Sequence, residues 1–186
     1  MSARRKPGVL CLEGEWYGAE DRTSVQPLLD MLERSGHITM MWRDVATREE
    51  LRFYVERWAH KRWSTYPLLY LGFHGSPGEF FVGNTPVTLD DLAADLEGKC
   101  VGRILHFGSC ATLAVAPGEL EVFRRRTGAH AVSGYTAAVD WLEASAFEIL
   151  LLNELIKSGE VETVQQRISV EHARWAQALG FTITTG

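Results

Sequence analysis

Hydrophobic positions along this chain follow two alternating patterns. Short continuous apolar runs, typical of strands buried in a parallel sheet, alternate with longer segments in which apolar residues recur every three or four positions, as in amphipathic helices. Over 186 residues, this alternation predicts one α/β domain, residues 1–186, with helices around a mostly parallel central sheet.

Apolar and β-branched runs indicate where the strands lie. The five predicted strands of the sheet are residues 9–12, 38–42, 68–73, 103–107 and 129–134. Residues 181–184 are β-branched enough to add an edge strand. Between the third and fourth strands, residues 79–89 predict a small hairpin that turns at Gly83 and Asn84.

Helical periodicity occupies the connections between these strands. The predicted helices are residues 24–35, a helix that begins after Thr47, residues 89–96, a helix that ends before Gly128, residues 141–157 and residues 161–179. Thr47, followed three residues later by Glu50, has the pattern of a capping box and marks a helix start.

Composition and charge narrow the functional classes. The net charge of −5 argues against nucleic acid as a partner, because phosphate-binding surfaces are rich in lysine and arginine. No apolar run is long enough to span a bilayer, and the apolar stretch near the N-terminus stops at Glu13, too early for a signal peptide. The three cysteines, Cys11, Cys100 and Cys110, form no C-x-x-C pair, which argues against a zinc or redox motif. We therefore expect a cytoplasmic protein that binds neither membrane nor nucleic acid.

Two chemically reactive side chains follow neighbouring predicted strands. His74 comes directly after the third strand, and Cys110 comes shortly after the fourth. Active sites of open parallel sheets form at the carboxyl ends of strands, and consecutive strands are usually neighbours about 5 Å apart. The two side chains are therefore expected to approach each other at one edge of the sheet.

A thiol beside an imidazole can act as a nucleophile. A free cysteine has a pKa of about 8.5, so a base that removes its proton increases its reactivity at neutral pH. The His74 imidazole can accept this proton and later return it to a leaving amine. The N–H groups of Gly75 and Cys110 are candidate donors to the oxyanion that forms during acyl transfer.

Other interpretations of the same residues were weighed against this one. A cysteine at a strand end is often a small buried apolar residue, and a histidine before glycine is often a turn residue. A phosphatase loop needs arginine six positions after the cysteine, where this chain has Ala116. No nucleophile elbow, dinucleotide-binding motif or P-loop is present, and a metal site of His74, His106 and Cys110 has no recognised spacing. The sequence therefore predicts neither a cofactor nor a metal.

Two motifs resemble those of the caspase-like cysteine peptidases. The segment Leu-Tyr-Leu-Gly-Phe-His-Gly at residues 69–75 is similar to the strand that precedes their histidine. The segment Ile-Leu-His-Phe-Gly-Ser-Cys at residues 104–110 is similar to the strand that precedes their cysteine. Residues 87–92 and 131–135 resemble the corresponding parts of bacterial CHAT domains. The resemblance implies a three-layer α/β/α caspase-like fold and hydrolysis of protein or peptide substrates, with Cys110 and His74 as the catalytic dyad and Gly75 as an oxyanion donor.

The resemblance also implies a substrate pocket formed by the loop after the first strand, the residues before the cysteine, and the segment after the fifth strand. In this chain the candidate pocket residues are Glu13, Ser109, Ser133, Gly134, Tyr135 and Asp140. Because carboxylates stand where caspases have arginines for aspartate, we expect a preference for arginine or lysine before the scissile bond. Asp140 is the first candidate for the selective acid and Glu13 the second, although Asp140 can instead cap the helix that follows it.

Two other functions stay open. The chain is short and lacks the Gln-Ala-Cys context of caspases, which leaves room for an inactive caspase-like scaffold that serves as a binding or signalling module. A doubly wound small-ligand domain is the other alternative, and it would hold His74 and Cys110 too far apart to cooperate. By analogy with CHAT proteins, a partner protein that presents substrate or activates the site is a further expectation.

Overall fold

Nine strands and seven α-helices occur in the part of the chain that the computed structural model describes, residues 6–18, 20–158 and 161–186. The strands are β1 (Gly8–Glu13), β2 (Thr39–Asp44), β3 (Leu68–Gly72), β4 (His74–Ser76), β5 (Glu79–Val82), β6 (Thr85–Thr88), β7 (Ile104–Phe107), β8 (Ala131–Tyr135) and β9 (Phe181–Thr185). The helices are α1 (Gln26–Arg34), α2 (Arg48–Ala59), α3 (Leu89–Leu96), α4 (Glu119–Thr127), α5 (Trp141–Ser158), α6 (Val161–Glu171) and α7 (Ala173–Ala178).

A six-stranded sheet has the order β2-β1-β3-β7-β8-β9. Its neighbouring strands are parallel, except that β9 pairs antiparallel with β8 at the edge. β3 and β7 are direct neighbours, with Leu71 in register with Phe107 at their carboxyl ends. The predicted mostly parallel sheet and its C-terminal edge strand are confirmed.

Alternate residues of each strand pack on opposite faces of the sheet and so separate two layers of helices. In β1, Leu10 and Leu12 belong to the core shared with α2, α3 and α4. Val9 and Cys11 belong to the core shared with α1, α5, α6 and α7. This two-residue period is that of a strand buried on both faces. The structure therefore has the three-layer α/β/α architecture that the sequence predicted.

A small antiparallel sheet, in the order β4-β5-β6, follows the carboxyl end of β3. The predicted turn at Gly83 and Asn84 joins β5 to β6. The sequence did not predict β4, because a strand of three residues is too short to show an alternating pattern. The pairing of His74 with Phe81 fixes the backbone that carries the imidazole, so this residue lies on an edge strand rather than in a loop.

Side-chain caps explain where several helices begin. Thr47 Oγ1 accepts a hydrogen bond from the Glu50 N–H at 3.2 Å, and the Glu50 carboxylate accepts one from the Thr47 N–H at 3.1 Å, which confirms the predicted capping box.

The helix predicted at residues 161–179 is instead two helices, because His172 leaves the helical conformation at φ −125° and ψ 16°. None of the helices in the described ranges combines the length and apolar character needed to cross a membrane.

Candidate active site

The segments that carry His74 and Cys110 touch each other at Gly75. A Cβ atom placed on Gly75 would overlap Thr112 Oγ1 and would lie 2.5 Å from the Cys110 carbonyl oxygen. Only glycine lets strand β4 approach the Cys110 loop this closely. The segments that follow the neighbouring strands β3 and β7 are therefore in direct contact.

A cleft of about 50 Å³ lies next to this contact, and both His74 and Cys110 line it. Its other walls come from the loop after β1, from β3 and from the beginning of α5. The lining residues include Trp16, Tyr17, Tyr70, Val139, Trp141 and Glu148. The structure thus brings the two predicted catalytic side chains into one cleft at the carboxyl edge of the parallel sheet.

A strained turn presents Cys110 to this cleft. Ala111 has φ 52° and is, among the described residues, the only one other than glycine with a positive φ. The turn is held by hydrogen bonds from the Ala111 N–H to the Ala137 carbonyl at 2.9 Å and from the Leu113 N–H to the Tyr135 carbonyl at 3.0 Å. A left-handed alanine persists only where surrounding contacts fix it, and such strain is frequent at functional sites.

The Cys110 side chain is half-buried and contacts the backbone of Val139. Its sulfur accepts a hydrogen bond from the Val139 N–H at 3.5 Å and lies 3.8 Å from the Val139 carbonyl. Among the residues that the structure describes, none accepts a hydrogen bond from the Cys110 N–H, so this donor is available to a ligand. The other two cysteines are buried, and burial raises the pKa of Cys100 to about 12 and that of Cys11 well above its usual value.

The His74 imidazole is exposed and stands edge-on to two aromatic rings. Its ring centroid lies 5.3 Å from that of Trp16 and 5.8 Å from that of Tyr17. Its Nε2 atom forms a short hydrogen bond with the Trp16 carbonyl. A carbonyl only accepts, so Nε2 carries the proton in this arrangement and Nδ1 is the basic nitrogen.

Glu13, the second candidate for a selective acid, is buried and fully used inside the protein. Its carboxylate accepts hydrogen bonds from Trp16 Nε1 at 2.7 Å and Trp42 Nε1 at 2.6 Å. It also accepts from Ser24 Oγ at 2.6 Å and from the Val25 N–H at 2.8 Å. With these donors satisfied and only 2% of the residue exposed, Glu13 does not line the cleft and instead holds the loop that contains Trp16.

Replacing Glu13 with glutamine is expected to lower the free energy of unfolding by about 2 kcal/mol, because an amide nitrogen cannot accept hydrogen bonds and leaves donors unpaired. Urea unfolding followed by tryptophan fluorescence measures the loss. Glu15→Gln, on the exposed neighbouring position, is the control and should change stability by less than about 0.5 kcal/mol. Equal stability of the two variants would show that the Glu13 carboxylate does not hold the loop.

Ser109 and Gly134 also differ from the expectation that they contact substrate. Ser109 is buried, and its hydroxyl donates to the Leu71 carbonyl at 3.4 Å. A Cβ atom on Gly134 would lie 2.7 Å from the Phe107 carbonyl oxygen, so this glycine serves close packing between β7 and β8. Both residues are buried, and neither lines the cleft.

Ser133 and Tyr135 belong to a buried polar network below the cleft rather than to its surface. Ser133 Oγ lies 2.9 Å from His106 Nδ1, and His106 Nε2 lies 3.4 Å from Glu148 Oε1. Tyr135 donates to Glu148 Oε1 at 3.0 Å, and Tyr70 donates to Glu148 Oε2 at 2.6 Å. Burial, followed by the charge of Glu148, raises the pKa of both tyrosines well above the usual value.

Asp140, the first candidate for a selective acid, caps α5. Its Oδ1 atom accepts hydrogen bonds from the Leu142 N–H at 2.9 Å and the Glu143 N–H at 3.0 Å. The residues on either side of it, Val139 and Trp141, line the cleft, whereas Asp140 does not. The capping alternative is therefore the role that the structure confirms.

Sequence reasoning missed Glu148, the acid that does line the cleft. It lies in an otherwise apolar stretch of α5, and a carboxylate on the buried face of a helix was the available signal. From the sequence, His106 is predicted to be a strand residue that faces a helix, and the alternative of a metal site lacks a recognised spacing. In the described ranges, no group of three His, Cys, Asp or Glu side chains could hold a metal ion.

The fold and the cleft define an α/β domain with a thiol and an imidazole at the carboxyl edge of its parallel sheet. Over residues 6–184 the sequence matches the model of a family described as a family of unknown function, DUF6642, and the chain belongs to this family. No curated protein matches the sequence.

Proposed function

We propose that this protein is a cysteine endopeptidase in which Cys110 is the nucleophile and His74 the general base. The observation that carries the proposal is that both side chains line one cleft at the carboxyl ends of the adjacent strands β3 and β7. Two features support it: the left-handed turn at Ala111 presents Cys110 to the cleft, and Gly75 lets the segment of His74 contact the segment of Cys110.

The hydrogen bond of His74 to Trp16 assigns the direction of proton transfer. With its proton on Nε2, the imidazole accepts the Cys110 thiol proton at Nδ1. The thiolate then attacks the peptide carbonyl carbon, and the Nδ1–H gives its proton to the leaving amine as the C–N bond breaks. Water hydrolyses the resulting thioester with His74 again as base, which releases the carboxylic acid and restores the thiol.

Two backbone N–H groups, those of Cys110 and Gly75, are the candidates for stabilising the oxyanion of this reaction. The Cys110 N–H has no acceptor among the described residues. Gly75 lies on β4, an edge strand of the small sheet, and its Cα packs against the Cys110 carbonyl. Donors that the fold holds in place need no reorganisation when charge develops on the carbonyl oxygen. Such preorganised stabilisation is usually the largest single contribution to rate enhancement.

A non-catalytic binding module is the second candidate, and one observation favours it. Both reactive side chains already have backbone partners, His74 at the Trp16 carbonyl and Cys110 at the Val139 backbone. For catalysis the thiol must exchange Val139 for His74, whereas a binding module would keep the observed contacts.

Alkylation of Cys110 by iodoacetamide distinguishes the two candidates. If His74 activates the thiol, His74→Ala is expected to lower the alkylation rate at neutral pH about tenfold. Mass spectrometry of the labelled peptide measures the rate, and the buried Cys11 and Cys100 serve as internal controls that stay unlabelled. An unchanged rate in the His74 variant would favour the binding module.

The proposed peptidase activity also implies a cellular compartment and a class of partner for this protein. The three cysteines are free, and a reducing compartment such as the cytoplasm would keep Cys110 as a thiol. The substrate is a protein or peptide, and a partner protein that presents it or activates the site stays a prediction.

A further inference from the structure

The floor of the cleft holds a buried carboxylate that pairs with no lysine or arginine of the described residues. Glu148 is 2% exposed and lines the cleft. Its hydrogen-bond donors are the Tyr70 and Tyr135 hydroxyls and His106 Nε2, and no lysine or arginine of the described residues pairs with it. Ser133 Oγ lies 2.9 Å from His106 Nδ1 and can donate to it, which completes the network around the carboxylate. A buried carboxylate is costly unless hydrogen bonds or a cation compensate its burial, so a cation in the cleft would add to the hydrogen bonds already present.

The carboxylate also retains capacity for a ligand. Two carboxylate oxygens offer about four acceptor positions, and the observed donors fill three of them. The remaining acceptor position suits an ammonium or guanidinium group, which offers donors and a positive charge. A cleft of about 50 Å³ takes the end of one side chain rather than a bulky ligand.

Aromatic rings form the walls above Glu148. Trp16, Tyr17, Tyr70 and Trp141 all line the cleft. Aromatic faces attract cations, and they do so most strongly where water is excluded. The aromatic walls and the carboxylate at the floor of the cleft therefore both favour a cationic group.

An unpaired donor on a residue that lines the cleft is a second feature available to the ligand. Trp141 Nε1 is buried and has no hydrogen-bond partner among the residues that the structure describes. Buried N–H groups are nearly always paired, so this one can take an acceptor from a ligand. A cation alone has no acceptor, whereas a basic residue within a peptide brings main-chain carbonyls with it.

We propose that the cleft binds a basic residue of a peptide, with its cationic end at Glu148 and a neighbouring main-chain carbonyl on Trp141 Nε1. This inference rests on the endopeptidase proposed above and assigns its selective acid to Glu148. Asp140 and Glu13 are not available for this task, because one caps α5 and the other is saturated inside the protein.

Binding to the Cys110→Ala protein tests the pocket without any turnover. Isothermal titration calorimetry compares N-acetyl-arginine amide with N-acetyl-citrulline amide, which has nearly the same shape and no charge. We expect the arginine compound to bind at least about tenfold more tightly. Equal affinity for the two compounds, or no binding of either, would overturn the proposal.

Further titrations, with variants of the cleft residues and with a second ligand, test which side chains bind the ligand and whether the ligand is a peptide. Glu148→Gln should abolish the preference for arginine over citrulline, whereas Tyr135→Phe removes one donor, keeps the charge and should preserve it. Agmatine, which has the guanidinium group without a carbonyl, should bind more weakly than N-acetyl-arginine amide, and Trp141→Phe should remove this difference. Agmatine as the tighter ligand would contradict a peptide and indicate a free amine.

The pocket and the peptidase can fail separately. Arginine-selective binding together with absence of peptide hydrolysis by the unmodified protein would support the pocket and contradict the proposed catalysis. Hydrolysis without discrimination between arginine and citrulline would support the proposed catalysis and contradict the pocket. If Glu148→Gln does not fold, the comparison of the two ligands on the Cys110→Ala protein still decides the matter.

Discussion

Loss of the His74 imidazole is expected to lower kcat for peptide hydrolysis about 10³-fold, because general acid–base catalysis by one side chain contributes about 10²–10⁴-fold. Loss of the Cys110 thiol in Cys110→Ala should abolish turnover, because no other group can form the thioester. A fluorogenic peptide with arginine before the scissile bond measures both effects. His74 is exposed, so its replacement should leave the thermal unfolding temperature nearly unchanged.

His60→Ala is a matched control for the His74 variant. His60 is also exposed, but it lies beyond the end of α2 and before β3, at the opposite edge of the sheet from the cleft. Its replacement should retain full activity. A His74 variant with activity equal to that of the His60 variant would contradict the dyad, even if Cys110 were required.

The positions of the two reactive residues could be predicted because they depend on local patterns. Buried apolar runs end where β3 and β7 end, and the next residues with reactive side chains are His74 and Cys110. The parallel order of consecutive strands then brings these segments together. Helix α3 was predicted with its observed boundaries for the same reason, since its cap and its apolar face lie within ten residues.

The acid that lines the cleft could not be located from the sequence, because its position depends on contacts between distant parts of the chain. Tyr70 and Glu148 are 78 positions apart in sequence and meet only when α5 packs on the sheet. The apolar neighbours of Glu148 in α5 indicate a buried carboxylate, but they do not show that it faces the cleft. The resemblance indicated which segments form the pocket but not which of their side chains face it.

Glu13 shows how a residue can matter to the cleft without contacting a ligand. Its carboxylate holds the Trp16 indole, and the Trp16 carbonyl holds His74 Nε2. The loop after β1 therefore determines which imidazole nitrogen carries the proton. The acid that the sequence suggested for substrate selection instead holds the loop that positions the proposed catalytic base.

Gly75→Ala is expected to lower kcat at least about 100-fold, because misplacement of a reacting group by about 1 Å costs this much in rate. The added methyl group would overlap Thr112 Oγ1 and press on the Cys110 carbonyl oxygen. Thr112 has little room to move, since its hydroxyl bonds the Glu79 carbonyl and its own carbonyl accepts from the Gly78 N–H. The strand β4 and the Cys110 turn must therefore separate, at a stability cost of about 3 kcal/mol.

Gly102→Ala separates the effect on activity from the effect on stability. Gly102 has φ 71° with no atom near its missing side chain, and it precedes β7 at the edge of the sheet away from the cleft. Alanine there should cost about 1 kcal/mol of conformational energy and no activity. Urea unfolding and the peptidase assay on both variants compare the two sites. If Gly75→Ala retained normal kcat after its stability loss was confirmed, the contact between β4 and the Cys110 turn would not be what aligns the base with the nucleophile.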